Sequence, residues 1–177
     1  MEKKNSHILR IALLGPECTA KSTLAAALAR HYHTQWVPEH ARNYLSGLNR
    51  KYVLNDVVNI AKLQLEDESL KMNTACKYIF ADTELIIAKV WCMDVFHTCP
   101  QWISETLMAK KYDYYLLTSP DLPWEEDALR ENPHRREFLF EWYLDELKKL
   151  KADYTIIKGH GEERLANCIK AIEQLGA

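Results

Sequence analysis

One loop near the start of the chain constrains the fold more than any other segment. Residues Gly15–Thr23 read GPECTAKST, and they separate an apolar run, residues 8–14, from an alanine- and leucine-rich stretch that begins at Leu24. This order predicts a strand, a loop and a helix. The loop differs at a single position from the pattern G-x-x-x-x-G-K-[ST], in which inward-facing backbone N–H groups cradle phosphates. The sequence therefore predicts a nucleotide-phosphate site rather than an ordinary turn that carries a surface lysine.

The residues of this loop have distinct expected roles. In the pattern, the lysine, here Lys21, reaches the terminal phosphates, and the hydroxyl of the next residue, Ser22, ligates Mg²⁺. The helix N-terminus behind them adds partial positive charge. Ala20 stands where glycine is usual, and we expect the loop to tolerate the methyl group if Ala20 lies near the right-handed helical conformation. The other candidate ATP-binding residues of the loop are Gly15, Glu17, Cys18, Thr19 and Thr23.

Size and composition favour one domain over residues 1–177, because 47% of the 177 residues are hydrophobic and can form a core. The net charge of -2 lacks the excess of positive charge that is typical of nucleic-acid binding. No apolar run approaches the roughly 20 residues that span a membrane. The five cysteines match no zinc pattern and are expected to be reduced thiols. We expect a cytoplasmic protein that binds neither nucleic acid nor membrane; the sequence leaves its oligomeric state open.

Strand-like segments alternate with helical patterns along the chain. Strands are predicted at residues 8–14, 35–38, 77–81, 114–117 and 154–157, and helices at residues 21–31, 55–73, 85–96, 102–110, 138–150 and 162–175. This alternation predicts an α/β fold of the P-loop NTPase type, with a five-stranded parallel sheet and helices on both faces. Ligands of such sheets bind at the carboxyl ends of the strands, so the polar residues at these ends are the candidates to contact a ligand.

Two carboxylates follow predicted strands at this edge. Asp82 ends the third strand and is a candidate Mg²⁺ ligand beside Ser22, although aspartate is also a good helix N-cap. Glu39 ends the second strand and could accept or orient the proton of a substrate hydroxyl; alternatively, it is a first-turn helix glutamate. Arg42 follows three residues later and is expected to contact substrate or phosphate, or to pair with Glu39.

The segment after the fourth strand predicts a short lid, approximately residues 121–137. Two prolines, Pro120 and Pro123, mark an irregular loop, and a highly charged stretch follows. Arg130 and Arg135 are candidates to neutralise the charge that develops during phosphoryl transfer. Trp124 is a candidate platform on which a flat ring stacks. The alternatives are a solvated charged stretch and a tryptophan that only packs.

The remaining candidates are less constrained by the sequence. Gln64 lies on an otherwise apolar helix and could read a base or a carboxamide, or could equally face solvent. Residues Gly159–Arg164 follow the fifth strand at the same edge of the sheet. The other four tryptophans are interpreted as core or packing residues: Trp36, Trp91, Trp102 and Trp142.

Four segments match the motifs of one known family. GPECTAKST is similar to its G-x-E-S-x-G-K-S, VPEHAR to W-E-Y-x-R-E, FADTE to I-D-T-D, and WEEDALR to W-x-x-D-G-x-R. On these segments the chain resembles the ribosylnicotinamide kinase domain of the bacterial bifunctional NAD-biosynthesis regulator, which has stand-alone relatives described as AAA-type ATPases. The resemblance covers roughly residues 8–175. This chain departs from the family at Cys18, Ala20, Glu84 and Ala128, and it is too short to hold the family's adenylyltransferase and DNA-binding domains as well.

The resemblance implies a small-molecule kinase that transfers a phosphoryl group from ATP to the 5′-hydroxyl of nicotinamide riboside, a nucleoside, with Mg²⁺ as cofactor. It implies that Lys21 and Ser22 hold the β- and γ-phosphates and that Glu39, Asp82 or both bind the ribose. Arg130 and Arg135 would close as lid arginines. Other implied contacts are the nicotinamide end for Gln64, Trp124 and Asp127, and the adenine region for Gly159 and Arg164.

Two other functions stay open at this stage. The first is a nucleoside or nucleotide kinase with a different acceptor, which the phosphate loop does not distinguish. The second is a regulatory P-loop ATPase that has no small-molecule acceptor. Glu39 and Trp124 favour a kinase over this second function, because a pure switch needs neither a carboxylate that positions a hydroxyl nor a stacking platform.

Overall fold

Five parallel strands form the sheet at the centre of this computed structural model, which describes residues 8–110 and 112–176. Their order across the sheet is β2-β3-β1-β4-β5, and every neighbouring pair is parallel. The predicted parallel α/β sheet is therefore confirmed. The strands are β1 (Leu9–Leu14), β2 (Gln35–Val37), β3 (Tyr78–Asp82), β4 (Tyr114–Thr118) and β5 (Tyr154–Ile157).

The helices begin and end within two residues of the predicted bounds, apart from one that the sequence analysis did not predict. That helix, α2, has six residues and buries none of them, so it leaves no apolar period in the sequence. The helices are α1 (Lys21–His31), α2 (Ala41–Ser46), α3 (Leu54–Met72), α4 (Leu85–Phe96), α5 (Gln101–Ala109), α6 (Arg136–Lys149) and α7 (Gly161–Glu173), and a 3₁₀ turn (Gln174–Gly176) follows.

The sheet buries both of its faces, which explains why its central strands read as continuous apolar runs. Along β1, Ala12 and Leu14 pack into a cluster with residues of α3, α4, α5 and α6. Ile11 and Leu13 pack into the cluster on the opposite face, with residues of α1 and α7. Burying one such leucine or isoleucine side chain contributes about 1.5–3 kcal/mol, so the two clusters hold the sheet between its helix layers.

Arg10 is the single charged residue in the apolar run of β1, and the structure supplies its partners. Its guanidinium pairs with the buried Glu68 on α3 at 2.6 Å and lies 4.4 Å from the centre of the Tyr112 ring. A buried charge is tolerated when it is paired and hydrogen-bonded, so Arg10 does not interrupt the strand.

The strand order brings several carboxyl ends together. β1 lies between β3 and β4, with Leu13 beside Asp82 and Leu14 beside Leu117, and β2 lies on the far side of β3. The segments that follow β1, β2, β3 and β4 therefore meet at one edge of the sheet, where ligands of doubly wound α/β folds bind. Within the residues that the structure describes, no helix is both long and apolar enough to cross a membrane.

Candidate nucleotide and acceptor site

Gly15 fits where no other residue could. Its φ is +146°, and a Cβ atom built on it would lie 2.1 Å from Thr118 Oγ1 at the end of β4. Thr118 Oγ1 in turn lies 2.8 Å from the Leu14 carbonyl oxygen and 2.7 Å from Thr19 Oγ1. The Thr19 hydroxyl donates to the Pro16 carbonyl over 2.8 Å. These contacts fix the loop after β1 directly against β4.

Ala20 does not adopt the right-handed conformation on which its tolerance was expected to depend. Its φ is +64° and its ψ is +23°, which is left-handed, and Cys18 is also left-handed with a φ of +57°. Each non-glycine residue in this region costs about 1–2 kcal/mol, which explains why glycine is usual at the position of Ala20. The loop keeps its shape because Thr118 and the start of α1 hold both of its ends.

The N-terminus of α1 is suited to bind an anion. No side chain caps it, and its first turn contains no acidic residue. Its first N–H groups therefore combine with the helix dipole to favour negative charge. Lys21 lies in this first turn, and its ammonium donates to the Pro16 carbonyl over 2.8 Å. Ser22, the next residue, is exposed and lines the same cavity as Lys21.

Asp82 is completely buried, and neither of its carboxylate oxygens makes a hydrogen bond of normal geometry. Burial raises the pKa of this carboxyl, whereas the nearby charge of Lys21, the Ser22 side chain and the Glu39 backbone amide all favour the ionised form. A buried carboxylate without partners is costly unless a ligand pairs with it. Its oxygens and the Ser22 hydroxyl are the ligand type that Mg²⁺ prefers, so the residues fit this ion.

The metal would also need oxygen atoms from outside the protein. Across residues 8–110 and 112–176, no group of three or more His, Cys, Asp and Glu side chains could hold a metal ion. Mg²⁺ in nucleotide sites is usually held by one or two protein groups together with phosphates, which is compatible with this donor set. Asp82 is not the N-cap of α4, because Glu84 occupies that place and its carboxylate accepts the Ile86 N–H over 2.7 Å.

Glu39 lies near the phosphate loop, at the end of β2. Burial raises the pKa of its carboxyl, the charge of Lys21 opposes this rise, and the charge of Asp82 adds to it. Glu39 is not in the first turn of a helix, since α2 begins at Ala41 and its N-cap is His40. The structure thus brings Lys21, Ser22, Glu39 and Asp82 to one place from three different strand ends.

A cavity of about 630 Å³ opens between Lys21, Ser22 and Glu39 and the helices above the sheet, and the fully buried Asp82 does not line it. One part of its wall is polar and comes from the phosphate loop, Glu39 and Arg42. The other part is largely apolar and aromatic, and α4 contributes residues spaced at i, i+3, i+4, i+7 and i+8, which are Ile87, Val90, Trp91, Asp94 and Val95. This helical stripe is the sequence signal that could have revealed the second wall.

Trp91, Tyr52 and Tyr143 form the aromatic part of this wall, and the sequence analysis assigned none of them to the site. Trp91 packs against the core, as the sequence predicts, but it is only half-buried and also lines the cavity. Its indole N–H donates to the Tyr52 hydroxyl over 3.2 Å, and that hydroxyl donates to Glu131 Oε2 over 2.9 Å. The two ring centres lie 5.2 Å apart at an interplanar angle of 72°. The polar tips of both rings are therefore satisfied within the protein.

The segment between β4 and α6, residues 119–135, contains no helix or strand and covers the cavity; it is called the β4–α6 segment below. Arg130 and Arg135 both line the cavity. Arg135 makes a two-pronged ion pair with Asp94 on α4, with N–O distances of 2.9 and 2.6 Å. Arg130 donates to the Glu125 carbonyl within its own segment. Arg42 also lines the cavity, and its guanidinium pairs with Asp127 rather than with Glu39.

Two of the expected ligand-binding residues have buried structural roles instead. The Gln64 amide donates to the Asp82 and Thr83 carbonyls, at 3.3 Å each, and so supports the turn after β3. The Arg164 side chain is 1% exposed, and it bonds to Asp121, to the Ser119 carbonyl and to the Gly159 carbonyl at 2.6–2.8 Å. Neither residue lines the cavity; the Gln64 amide nitrogen and both terminal nitrogens of Arg164 are hydrogen-bonded, and only the buried Arg164 Nε has no partner among the described residues.

Trp124, Asp127 and Gly159 also lie outside the cavity lining. The Trp124 indole N–H donates to Glu126 over 3.0 Å, and the Arg136 guanidinium lies 5.9 Å from the ring centre. Asp127 accepts hydrogen bonds from Arg42 and from the Leu129 N–H. The aromatic surface of the cavity therefore comes from α4, α6 and the loop before α3, not from Trp124.

Comparisons with known proteins agree with this architecture. A family model described as an AAA domain matches residues 10–164. The trifunctional NAD biosynthesis/regulator protein NadR of Salmonella typhimurium is 22% identical over 181 residues, which cover 98% of this chain and 44% of that protein. The chain thus spans less than half the length of this curated relative.

Two solved structures illustrate the fold. A NadR protein in complex with NAD and AMP-PNP superimposes with a TM-score of 0.75 at 20% identity, over 94% of this chain and 49% of that one. A deoxyadenosine kinase from M. mycoides superimposes with a TM-score of 0.67 at 13% identity, over 94% of this chain and 100% of that one. The fold is that of P-loop kinases, and the resemblance inferred from the four sequence segments is confirmed.

Proposed function

We propose that this chain, which belongs to the AAA domain family, is an ATP-dependent kinase that phosphorylates the 5′-hydroxyl of nicotinamide riboside. The observation that carries this proposal is the meeting of Lys21 and Glu39 on one cavity. A phosphate-binding lysine and a carboxylate that can hold a hydroxyl are the two groups that phosphoryl transfer to an alcohol requires.

The polar end of the cavity would bind the triphosphate. The N–H groups of the phosphate loop and of the first turn of α1 surround the phosphates, and Lys21 leaves the Pro16 carbonyl to contact them. Ser22 and Asp82 are the residues that would hold Mg²⁺, which when bound neutralises phosphate charge. The Lys21 charge, the Ser22 side chain and the Glu39 backbone amide offset part of the cost of burying the Asp82 carboxylate, and a bound cation would offset more of it.

Glu39 would hold the acceptor hydroxyl. Its raised pKa makes its carboxylate a stronger proton acceptor than an exposed glutamate. Because the transition state of phosphoryl transfer is loose, much of this contribution is orientation of the hydroxyl towards the γ-phosphate. Arg130 and Arg135 approach from the β4–α6 segment and would stabilise the charge on the transferred group.

The acceptor's ring would lie at the aromatic wall. Trp91 and Tyr52 offer ring surfaces there, and their polar tips are already hydrogen-bonded. The Glu131 carboxylate lies in the same wall and accepts a hydrogen bond from the neutral Tyr52 hydroxyl, so its charge suits the positive charge of a nicotinamide ring, whereas Arg135 already neutralises Asp94. This assignment replaces the stacking role that the sequence analysis gave to Trp124.

A nucleoside kinase with another acceptor is the second candidate, because this chain superimposes on the whole length of the deoxyadenosine kinase. A neutral base can stack on the same aromatic wall, and the phosphate loop is common to both functions. The charge of the acceptor separates the two candidates, since only nicotinamide riboside brings a cationic ring to the Glu131 carboxylate.

An acceptor panel tests the proposal. ADP release is measured with ATP and Mg²⁺, alone and with nicotinamide riboside, deoxyadenosine, thymidine, cytidine or dephospho-coenzyme A, and each product is identified by mass. We expect nicotinamide riboside to give the highest kcat/KM and a product that is heavier by one phosphate. A higher kcat/KM with a neutral nucleoside would contradict the acceptor assignment. Equal ADP release with and without every acceptor would instead indicate a regulatory ATPase.

A further inference from the structure

We propose that Glu17 is a positioning residue. It anchors the β4–α6 segment over the phosphate loop and so helps to position Arg130 and Arg135 of that segment. The inference rests on the proposed kinase function for its kinetic consequence, but not for its structural one. Glu17 Oε1 accepts the Glu131 N–H over 3.1 Å, and Glu17 Oε2 accepts the Asn132 N–H over 2.9 Å. One carboxylate in the phosphate loop thus holds two consecutive backbone amides of a segment more than 100 residues away in sequence.

The position of Glu17 calls for such a role. A negative charge within a loop that binds phosphates repels them, and this repulsion is strong where little water intervenes. Glu17 is half-buried, and both of its oxygens already accept hydrogen bonds from the β4–α6 segment. Hydrogen bonds from N–H groups to an ionised carboxylate are stronger than those between neutral groups. These contacts explain how the loop accommodates a carboxylate that does not itself bind phosphate.

The anchored amides lie beside the arginines that face the cavity. Arg130 directly precedes Glu131, and Arg135 follows Asn132 by three residues, with its Nη1 3.4 Å from Asn132 Oδ1. The Glu131 and Asn132 backbone therefore helps to set where both guanidiniums enter the cavity, together with the Asp94 pair of Arg135 and the Glu125 contact of Arg130. A shift of about 1 Å in such a group can lower the rate of a positioned reaction 10²-fold.

A second contact joins the same two parts of the chain. Cys18 Sγ lies 3.5 Å from the Glu125 nitrogen and 3.6 Å from the Glu125 carbonyl oxygen. These longer sulfur contacts are weak, so Glu17 provides the main attachment on the nucleotide side. Because the donors on the segment are backbone amides, substitutions of its side chains leave the anchor intact. Only a change at Glu17 removes it directly.

The test compares Glu17→Ala and Glu17→Gln with a matched control, Glu126→Gln. Glu126 is an exposed carboxylate in the same segment, its contact is with Trp124, and it does not line the cavity. Amide hydrogen exchange of Glu131 and Asn132 is followed by NMR, and kcat and KM for ATP are measured with the best acceptor. Circular dichroism confirms that each variant is folded, as expected for a residue outside both core clusters.

We expect Glu17→Ala to speed exchange at both amides at least 10-fold and to lower kcat by about 10–100-fold, with KM for ATP changed less than 3-fold. Glu17→Gln keeps one acceptor oxygen, so its effects should fall between those of Glu17→Ala and the unchanged protein. The control should leave exchange and kcat unchanged. Unaltered exchange in Glu17→Ala, or an effect confined to KM for ATP, would overturn the proposal.

The exchange measurement separates this inference from the kinase proposal. If the unchanged protein phosphorylates no acceptor, the proposed function fails, but faster exchange at Glu131 and Asn132 in Glu17→Ala still supports the anchor. If the protein is an active kinase and exchange does not respond to the substitution, the anchor fails and the proposed function stands.

Discussion

The Arg42 guanidinium donates to the Asp127 carboxylate over 2.8 Å, and this ion pair ties α2 to the β4–α6 segment. A hydrogen bond from the Leu129 N–H lowers the pKa of Asp127, and Arg42 lowers it further. Glu17 holds the same segment from the phosphate loop. The segment is therefore attached to two separate elements that line the cavity, the phosphate loop and α2.

Lys21→Ala should lower kcat by about 10²-fold or more, because it removes the ammonium charge that Lys21 would direct at the terminal phosphates. The fold should persist, since Lys21 lines the cavity and belongs to neither core cluster. The control is Lys62→Ala, which removes an exposed lysine on α3. Turnover is measured with the preferred acceptor. Wild-type turnover in the Lys21 variant would exclude the kinase mechanism described above.

Arg130→Ala and Arg135→Ala should each reduce kcat by about 10²–10³-fold, with a smaller change in KM for ATP. The reason is that both guanidiniums act on charge that is largest in the transition state. Arg136→Ala is the matched control, because Arg136 binds the Leu122 carbonyl and does not line the cavity. A change in KM for ATP alone would show that these arginines bind nucleotide without assisting transfer.

Glu39→Gln keeps the size of the side chain and removes its charge. We expect kcat to fall by about 10²–10⁴-fold, because the carboxamide does not accept the proton of the acceptor hydroxyl. Steady-state kinetics with saturating ATP and acceptor provide the measurement. Glu66→Gln, at a position on α3 outside the cavity lining, is the control. A loss of only a few-fold would assign Glu39 to orientation of the hydroxyl and not to proton transfer.

Ala20→Gly should raise the stability of the protein by about 0.5–1 kcal/mol. The left-handed conformation of Ala20 costs about 1–2 kcal/mol, and the greater freedom of glycine in the unfolded chain offsets part of the gain. Ala27→Gly, within α1, should lower the stability of the protein by a similar amount, because glycine is less favourable than alanine inside a helix. Thermal unfolding of both variants measures the difference, and shifts of the same sign would contradict the strain assigned to Ala20.

Trp91→Leu should raise KM for the acceptor roughly 10-fold, while KM for ATP changes little. A ring that stacks on an aromatic side chain gains about 1–3 kcal/mol, which leucine does not replace. Trp124→Leu is the control, since its ring packs beside Arg136 outside the cavity lining. If the Trp124 variant lost acceptor affinity and the Trp91 variant did not, the ring would lie on the other side of the segment.

The sequence by itself determined the strands, the long helices and the phosphate loop. Apolar periodicity is local, and it reflects which side of each element is buried, so it located α1 and α4 with their observed ends. The parallel order also placed Glu39 and Asp82 at one edge, because alternating strands and helices leave all carboxyl ends on the same side. These inferences needed no knowledge of which side chains touch.

Only the tertiary structure decided which side chains face the cavity and what the others bind. Gln64 and Arg164 looked available in sequence, yet each is buried among backbone carbonyls. Trp91 packs against the core as predicted, but only the structure shows that it also lines the cavity. The contact between Glu17 and Glu131 joins residues 114 positions apart. Such partners are set by how the segments after different strands meet in space, and a local pattern carries no information about that meeting.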